Sequence, residues 1–250
     1  MGLQVKVARS LVFGEYANTV RNIKGTPMTE KVYLDDHFLN GYAENDWLQV
    51  SDGGTWTDGT GAGGTIVCTT DASDNGLGEL YRVSHFVANK NCGMEARIKI
   101  DVISLVGIVV GFADTYHNTA NRIAYEMNAG VATQKDGGGT DGAAFVYDTD
   151  AVASAYYCAA IKANTESTPV AAVGTLAPVA DTYARLRVQF SYNTSTTYSA
   201  ATFYYNGVAV GYMPNCTTST AALCPYVAVI ERSASARILT IDRVTAWQDE

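Results

Sequence analysis

Apolar and polar positions alternate most cleanly in residues 93–101, where Met94, Ala96, Ile98 and Ile100 interleave with Glu95, Arg97, Lys99 and Asp101. A period of two marks a strand with one buried face. Residues 105–112 are then apolar almost without a break, as expected of a strand covered on both faces. A half-solvated strand followed by a fully covered one predicts two layers of sheet.

The rest of the chain repeats these signals. Residues 32–38, 46–50, 65–70 and 78–87 are expected strands, with Leu80, Arg82 and Ser84 on one side of the last. Between them, residues 51–64 are glycine-rich enough to predict an irregular loop. Residues 121–128 alternate again, and 134–142 read as a flexible loop. Residues 143–147 and 154–162 read as a pair of strands, and a long connection (163–179) leads from them to the next strand. Along 183–192, Leu186, Val188, Phe190 and Tyr192 are expected inward, and Arg185, Arg187, Gln189 and Ser191 outward. Asn206-Gly207 separates two strand-like runs, 201–205 and 208–213, and supplies the positive φ angles of a type I′ hairpin. Residues 226–231 and 236–247 close the chain as strands. No segment carries a helical period and no internal repeat is visible. The pattern predicts an all-β, antiparallel two-sheet β-sandwich over residues 31–250.

Residues 1–30 differ. They show little alternation, no helix cap and a turn-like Gly25-Thr26-Pro27, and read as an extended N-terminal arm. Such an arm would lie against a partner or a neighbouring subunit. Its apolar positions Val5, Leu11, Val12, Phe13, Tyr16, Val20 and Ile23 are the expected contacts.

Composition narrows the function classes. A chain of 250 residues with 47% hydrophobic and only 17% charged residues can bury a large core in one domain. The formal net charge of −8 and the absence of any basic run argue against nucleic acid, whose phosphates require clustered Lys and Arg. No apolar run approaches a membrane span, and the amino terminus lacks the apolar stretch of a signal peptide. Gly2 is followed by Lys6 where myristoylation requires Ser or Thr. Cys68, Cys92, Cys158, Cys216 and Cys224 form no CxxC pair, so a zinc site is not expected. Cys216 and Cys224 bracket a short loop and would close a disulfide in an oxidising setting; free thiols are the favoured expectation. Asn193-Thr194-Ser195 and Asn215-Cys216-Thr217 match the glycosylation acceptor pattern.

Four stretches, in order, carry a resemblance. They are Asp35-Asp36-His37-Phe38; Gly93-Met-Glu-Ala-Arg-Ile-Lys99; Tyr183-Ala-Arg-Leu-Arg-Val188 leading into Phe203-Tyr-Tyr-Asn-Gly-Val-Ala-Val-Gly211; and Leu239-Thr-Ile-Asp-Arg-Val-Thr-Ala-Trp247. Together they resemble the concanavalin A-like (lectin/glucanase, laminin-G-like) jelly roll over residues 31–248. The resemblance implies that the last strand returns to pair near the first.

Relatives of that fold include glycoside hydrolases, whose retaining chemistry needs two carboxylates about 5 Å apart. The resemblance places those acids on a strand reading E-x-D-x-E, which is absent here. The nearest analogue, Glu95 to Asp101, alternates acid, base, base, acid and predicts a solvated ladder of cross-strand ion pairs. Lectin relatives hold Ca²⁺ with loop oxygens; the matching candidates are Asp71 with Asp74, and Asp136 with Asp141, all also ordinary turn formers. Trp47, flanked by Leu48 and Val50, is expected in the core, whereas Trp56, in the glycine-rich loop, is the candidate glycan contact. His37, His85 and His117 stand apart from one another and from any nucleophile pattern. No enzyme is expected.

A β-sandwich of low charge with an extended arm resembles a bacteriophage head decoration (cement) protein. This implies synthesis in the host cytoplasm, a place on the virion's capsid surface, binding to the major capsid protein through residues 1–30, and a dimer or trimer. The alternative is a carbohydrate-binding module, virion-displayed or not, that recognises glycans.

Overall fold

The computed structural model describes residues 31–38, 47–59, 64–83, 86–114, 125, 139–151, 153–166, 170–171 and 176–249. The first part of the chain forms β1 (Lys31–Asp36), β2 (Trp47–Asp52), β3 (Thr55–Asp58), β4 (Ile66–Thr69), β5 (Leu77–Arg82), β6 (Phe86–Val87), β7 (Gly93–Ile100) and β8 (Val106–Ala113). The second part forms β9 (Gly142–Asp148), β10 (Tyr156–Lys162), β11 (Thr165–Glu166), β12 (Val170–Ala171), β13 (Ala184–Tyr192), β14 (Tyr198–Tyr205), β15 (Val208–Thr218), β16 (Ala222–Glu231) and β17 (Ile238–Asp249). Among the described residues the helical content is one 3₁₀ turn, Ala88–Lys90.

Two antiparallel sheets result. The front sheet has eight strands in the order β15-β14-β13-β7-β17-β4-β3, with β1 also on β17; the back sheet has nine, in the order β11-β10-β9-β8-β16-β5-β2, with β12 on β10 and β6 on β16. The last strand does pair with the first, from Lys31 opposite Asp249 to Asp36 opposite Val244. The expected Asn-Gly hairpin joins β14 to β15, with Asn206 at φ 49° and Gly207 at φ 86°. These left-handed angles suit the right-handed twist of the flanking strands.

The core lies between the sheets. Met94, Ala96, Ile98 and Ile100 of β7 and Leu186, Val188 and Phe190 of β13 face Ile108, Val110 and Phe112 of β8 and Phe145 of β9. Phe112 meets Phe86 and Phe190 with ring centroids 5.9 and 5.7 Å apart. β8 is buried at every position while β7 alternates, so the unbroken apolar run and the alternating one do mark a covered strand and a half-solvated one. The back sheet explains the difference: its outer face carries a second apolar cluster that includes Leu77, Tyr81, Val109, Val146, Tyr157 and Tyr226. A strand between two apolar layers has no polar face to show.

Local differences have simple causes. The fully covered strand starts at Val106 rather than Leu105, because Leu105 turns at φ 51° and stays 48% exposed. Residues 51–64 are not all irregular: Gly53 reverses the chain at φ 74°, and β3 then pairs with β4, from Thr55 opposite Thr69 to Asp58 opposite Ile66. The connection after β10 carries the short strands β11 and β12, both paired with β10. The alternation at 121–128 lies outside the described residues except for Tyr125, which is fully buried and donates its hydroxyl to the Phe112 carbonyl at 2.7 Å.

All five cysteines are free and buried. Burial pushes the Cys68, Cys158 and Cys216 thiols from the ordinary 9.0 up to about 12, and raises Cys92 further. Only the thiolate reacts. The folded chain is therefore expected to leave Ellman's reagent nearly uncoloured at about pH 8, and to react fully once denatured. Fast reaction of a thiol in the native state would contradict the burial. Between about pH 9 and 12 the folded chain keeps thiol protons that the unfolded chain has lost. Stability therefore falls as pH rises through that window.

Candidate functional site

A sandwich offers a ligand its outer sheet faces and its loop ends. On the back sheet the outer face is closed: Glu79 is fully buried, accepts a hydrogen bond from the Tyr226 hydroxyl, and is surrounded by the second apolar cluster. The acid at the edge of that face, Asp148, is also fully buried, and pairs with Arg232. Neither carboxylate opens onto a cleft.

The outer face of the front sheet is half-solvated and built differently at its two ends. At one end, β14 and β15 fall out of step. Ser199 pairs with Thr217 and Ala201 with Met213, so Pro214, Asn215 and Cys216 all stand opposite Ala200. Asn215 takes φ 49° to make the bulge, and bulges of this kind bend a strand and re-aim its side chains. The methyl group of Ala200 leaves a floor. Around it lies a hollow of about 300 Å³ lined by Ser191, Tyr192, Asn193, Thr196, Tyr198, Tyr212, Pro214 and Asn215.

No charged side chain lines this hollow. Tyr212 is 59% exposed. Asn193 caps its own turn by accepting from the Ser195 amide and hydroxyl at 3.0 and 2.9 Å. Lys162 lies over the Tyr198 ring at 4.6 Å, a cation–π contact that holds the ring in place. Aromatic faces beside amide and hydroxyl groups are able to stack on a ring and hydrogen-bond its substituents. Both asparagines of the glycosylation-type patterns line this one hollow.

At the other end the face becomes cationic. Arg185 of β13 stands directly opposite Arg97 of β7, and Arg97 directly opposite Arg243 of β17. Like charges placed so are unfavourable unless neutralised. Arg97 pairs with Asp242 at 2.6 Å and lies over Tyr183 at 4.2 Å. Arg243 forms a fork with the Asp35 carboxylate, and Lys99 reaches Asp181 at 3.7 Å. The ladder expected from Glu95 to Asp101 differs in its acids: Arg97 and Lys99 pair with Asp242 of β17 and with Asp181 in the turn before β13, while Asp101 accepts from the amides of Val102 and Ile238.

Of the residues singled out in the sequence, Trp47 is in the core, its indole N–H donating to Asp36 at 2.8 Å. Trp56, expected as an exposed glycan contact, is buried at 8% exposure. β3 pairs Trp56 opposite Cys68, and the alternation of β3 points it into the core. That correction removes it from any surface site. Asp71 accepts from the Ser73 hydroxyl within its own turn. Asp141 accepts from the amides of Ala163 and Thr218 at 3.2 and 2.6 Å, tying together the ends of three strands. Among the described residues no group of three His, Cys, Asp or Glu side chains is placed to hold a metal. Asp136, His85, His117 and the arm positions Val5, Leu11, Val12, Phe13, Tyr16, Val20 and Ile23 lie outside the described residues. Tyr192, expected inward, sits at the strand end and lines the hollow.

No protein-family model and no curated protein matches the sequence. Solved structures do match the fold. The Bacillus licheniformis β-glucanase superposes with a TM-score of 0.57 at 11% identity, covering 90% of this chain and 100% of that one. Peanut lectin matches with a TM-score of 0.56 at 12% identity over 88% and 97% of the two chains. The carbohydrate recognition domain of Emp47p matches with a TM-score of 0.55 at 13% identity over 90% and 100%. The chain is a concanavalin A-like β-sandwich, a fold it shares with lectins and glucanases.

Proposed function

We propose that this chain is a non-catalytic carbohydrate-binding β-sandwich that takes a glycan in the hollow over Ala200. The observation that carries the reading is the hollow itself: three tyrosines and a set of uncharged hydrogen-bonding side chains around a small floor, on the open face of the front sheet. Its size is at the lower end of ordinary ligand sites, about 300 to 1,000 Å³. That the fold is shared with lectins agrees with this reading. The sealing of Glu79 and Asp148 among their own partners favours binding without hydrolysis.

A glycan array followed by calorimetry on the best binder tests it. Tyr212→Ala is expected to weaken binding about tenfold, the worth of about 1.4 kcal/mol of aromatic contact. The melting temperature should stay put, because Tyr212 is mostly exposed. An array without a binder sinks the proposal. Display of the chain on a virus particle makes a separate demand on residues 1–30. A chain begun at Thr29 would then lose attachment to the capsid, while Tyr212→Ala would keep it.

A further inference from the structure

Two arginines on the front face are unlike the others. Arg97, Arg243 and Lys99 each have an acid within ion-pair reach. The Arg185 and Arg187 guanidinium groups have no hydrogen-bonded acceptor among the described residues. Arg187 lies over the Tyr204 ring at 3.8 Å, and its Nε is buried without a hydrogen-bond partner among the described residues. Glu95, which stands opposite Arg187, acts on both arginines only through its charge. Burial holds the Glu95 carboxyl above its usual value in spite of them. A planar fork of donors, as on Arg187, held over a tyrosine ring and without a hydrogen-bonded acceptor among the described residues, fits an oxyanion that accepts two bonds at once.

These arginines are continuous with the hollow. On β13 and β14 the outward-facing pairs run Ser191 beside Ala200, Gln189 beside Thr202, and Arg187 beside Tyr204. Tyr212 stands beside Thr202 on the next strand. The track is floored by small and polar residues and edged by tyrosines along its length. From Ser191 to Arg187 it spans about 13 Å, at about 3.3 Å per residue of strand, the reach of a short oligosaccharide. A chain of net charge −8 that places two arginines without a hydrogen-bonded acceptor among the described residues at the end of an uncharged, tyrosine-lined track is selective about where it accepts negative charge.

We infer that the ligand is an acidic polysaccharide, one sugar ring resting in the hollow over Ala200 and the carboxylate or sulfate of a nearby residue received by Arg185 and Arg187. The inference rests on the carbohydrate-binding reading and names the ligand class for it. Binding of the two arginines to an oxyanion adds charge-assisted hydrogen bonds, so a matched acidic chain binds more tightly than its uncharged counterpart. The tyrosine track supplies what a bare basic patch lacks, namely recognition of sugar rings rather than of charge alone.

The experiment measures affinity of the full chain for polygalacturonate, dextran sulfate and uncharged dextran, with single-stranded DNA as a polyanion without pyranose rings. The variants are Arg185→Gln, Arg187→Gln and Tyr212→Ala, each checked for an unchanged melting temperature. Binding to one or both acidic polysaccharides, weakened about tenfold by either arginine change and also by Tyr212→Ala, is the expected result. Which acidic polysaccharide binds tells carboxylate from sulfate. Equal affinity for dextran, indifferent to the arginine changes but lost in Tyr212→Ala, overturns this inference and leaves the carbohydrate-binding reading standing. DNA bound as tightly as the polysaccharides, with no effect of Tyr212→Ala, overturns it too, since charge alone then suffices. If no polysaccharide binds and the array is also empty, both readings fail together.

Discussion

Asp148→Ala is expected to cost about 3 to 5 kcal/mol of folding stability, the usual result of removing one member of a buried ion pair. Asp148 is fully buried at the end of β9 and holds the Arg232 guanidinium through two hydrogen bonds. Arg232 also donates to Asn75 at 3.0 Å, which ties the turn before β5 to the residue after β16. With the carboxylate gone, a nearly buried guanidinium loses its nearest charged partner and is left beside Asn75 and the more distant Asp150, 3.6 Å away and 45% exposed. Urea unfolding of the variant should show a midpoint far below that of the parent chain. Asp150→Ala is the control: its pair is solvent-screened, and its loss should cost about 1 kcal/mol at most. Equal effects of the two changes would show that burial does not set the strength of this contact.

Phe145→Ala is expected to be comparably costly, about 3 to 5 kcal/mol. Phe145 is fully buried on β9 and points between the sheets. Its ring stands edge-on to Phe203 of the front sheet at 5.3 Å and to Tyr156 of β10 at 5.8 Å. Truncation removes both edge-to-face contacts and leaves a cavity that rigid paired strands on either side are poorly able to collapse. In a domain of this size the melting temperature should fall on the order of 10 °C. Phe145→Leu, which keeps most of the volume, should recover more than half of the loss. A cost below about 1 kcal/mol for the alanine change would mean that the sheets close over the gap.

The difference between what was legible and what was not is a difference between local and assembled information. Residues 93–101 and 105–112 announce their strands because side-chain direction in a strand depends on the residue's own parity. Asn206-Gly207 announces its hairpin because the turn's backbone angles are a property of those two residues. Trp56 misled for the opposite reason. Its glycine-rich surroundings say loop, yet one reversal at Gly53 lets residues 55–58 pair with β4, and pairing then settles which way the indole points.

The site was beyond local reading. Tyr192, Tyr198, and the pair Tyr212 and Asn215 come from three different strands, and they gather where three residues of β15 oppose one of β14. The arginine row is likewise invisible along the chain, where Arg97 follows Glu95 as an ordinary alternating charge. It exists because β13, β7 and β17 are neighbours in the front sheet in that order.

Fold class, the hairpin and the inward faces of β7 and β13 therefore belong to the residues themselves, because hydrophobic alternation and turn chemistry act over a few positions. The open front face, the sealed back face and the track from Ala200 to Arg187 belong to the packed sheets. Strand order and a bulge, rather than any motif, determine which side chains meet.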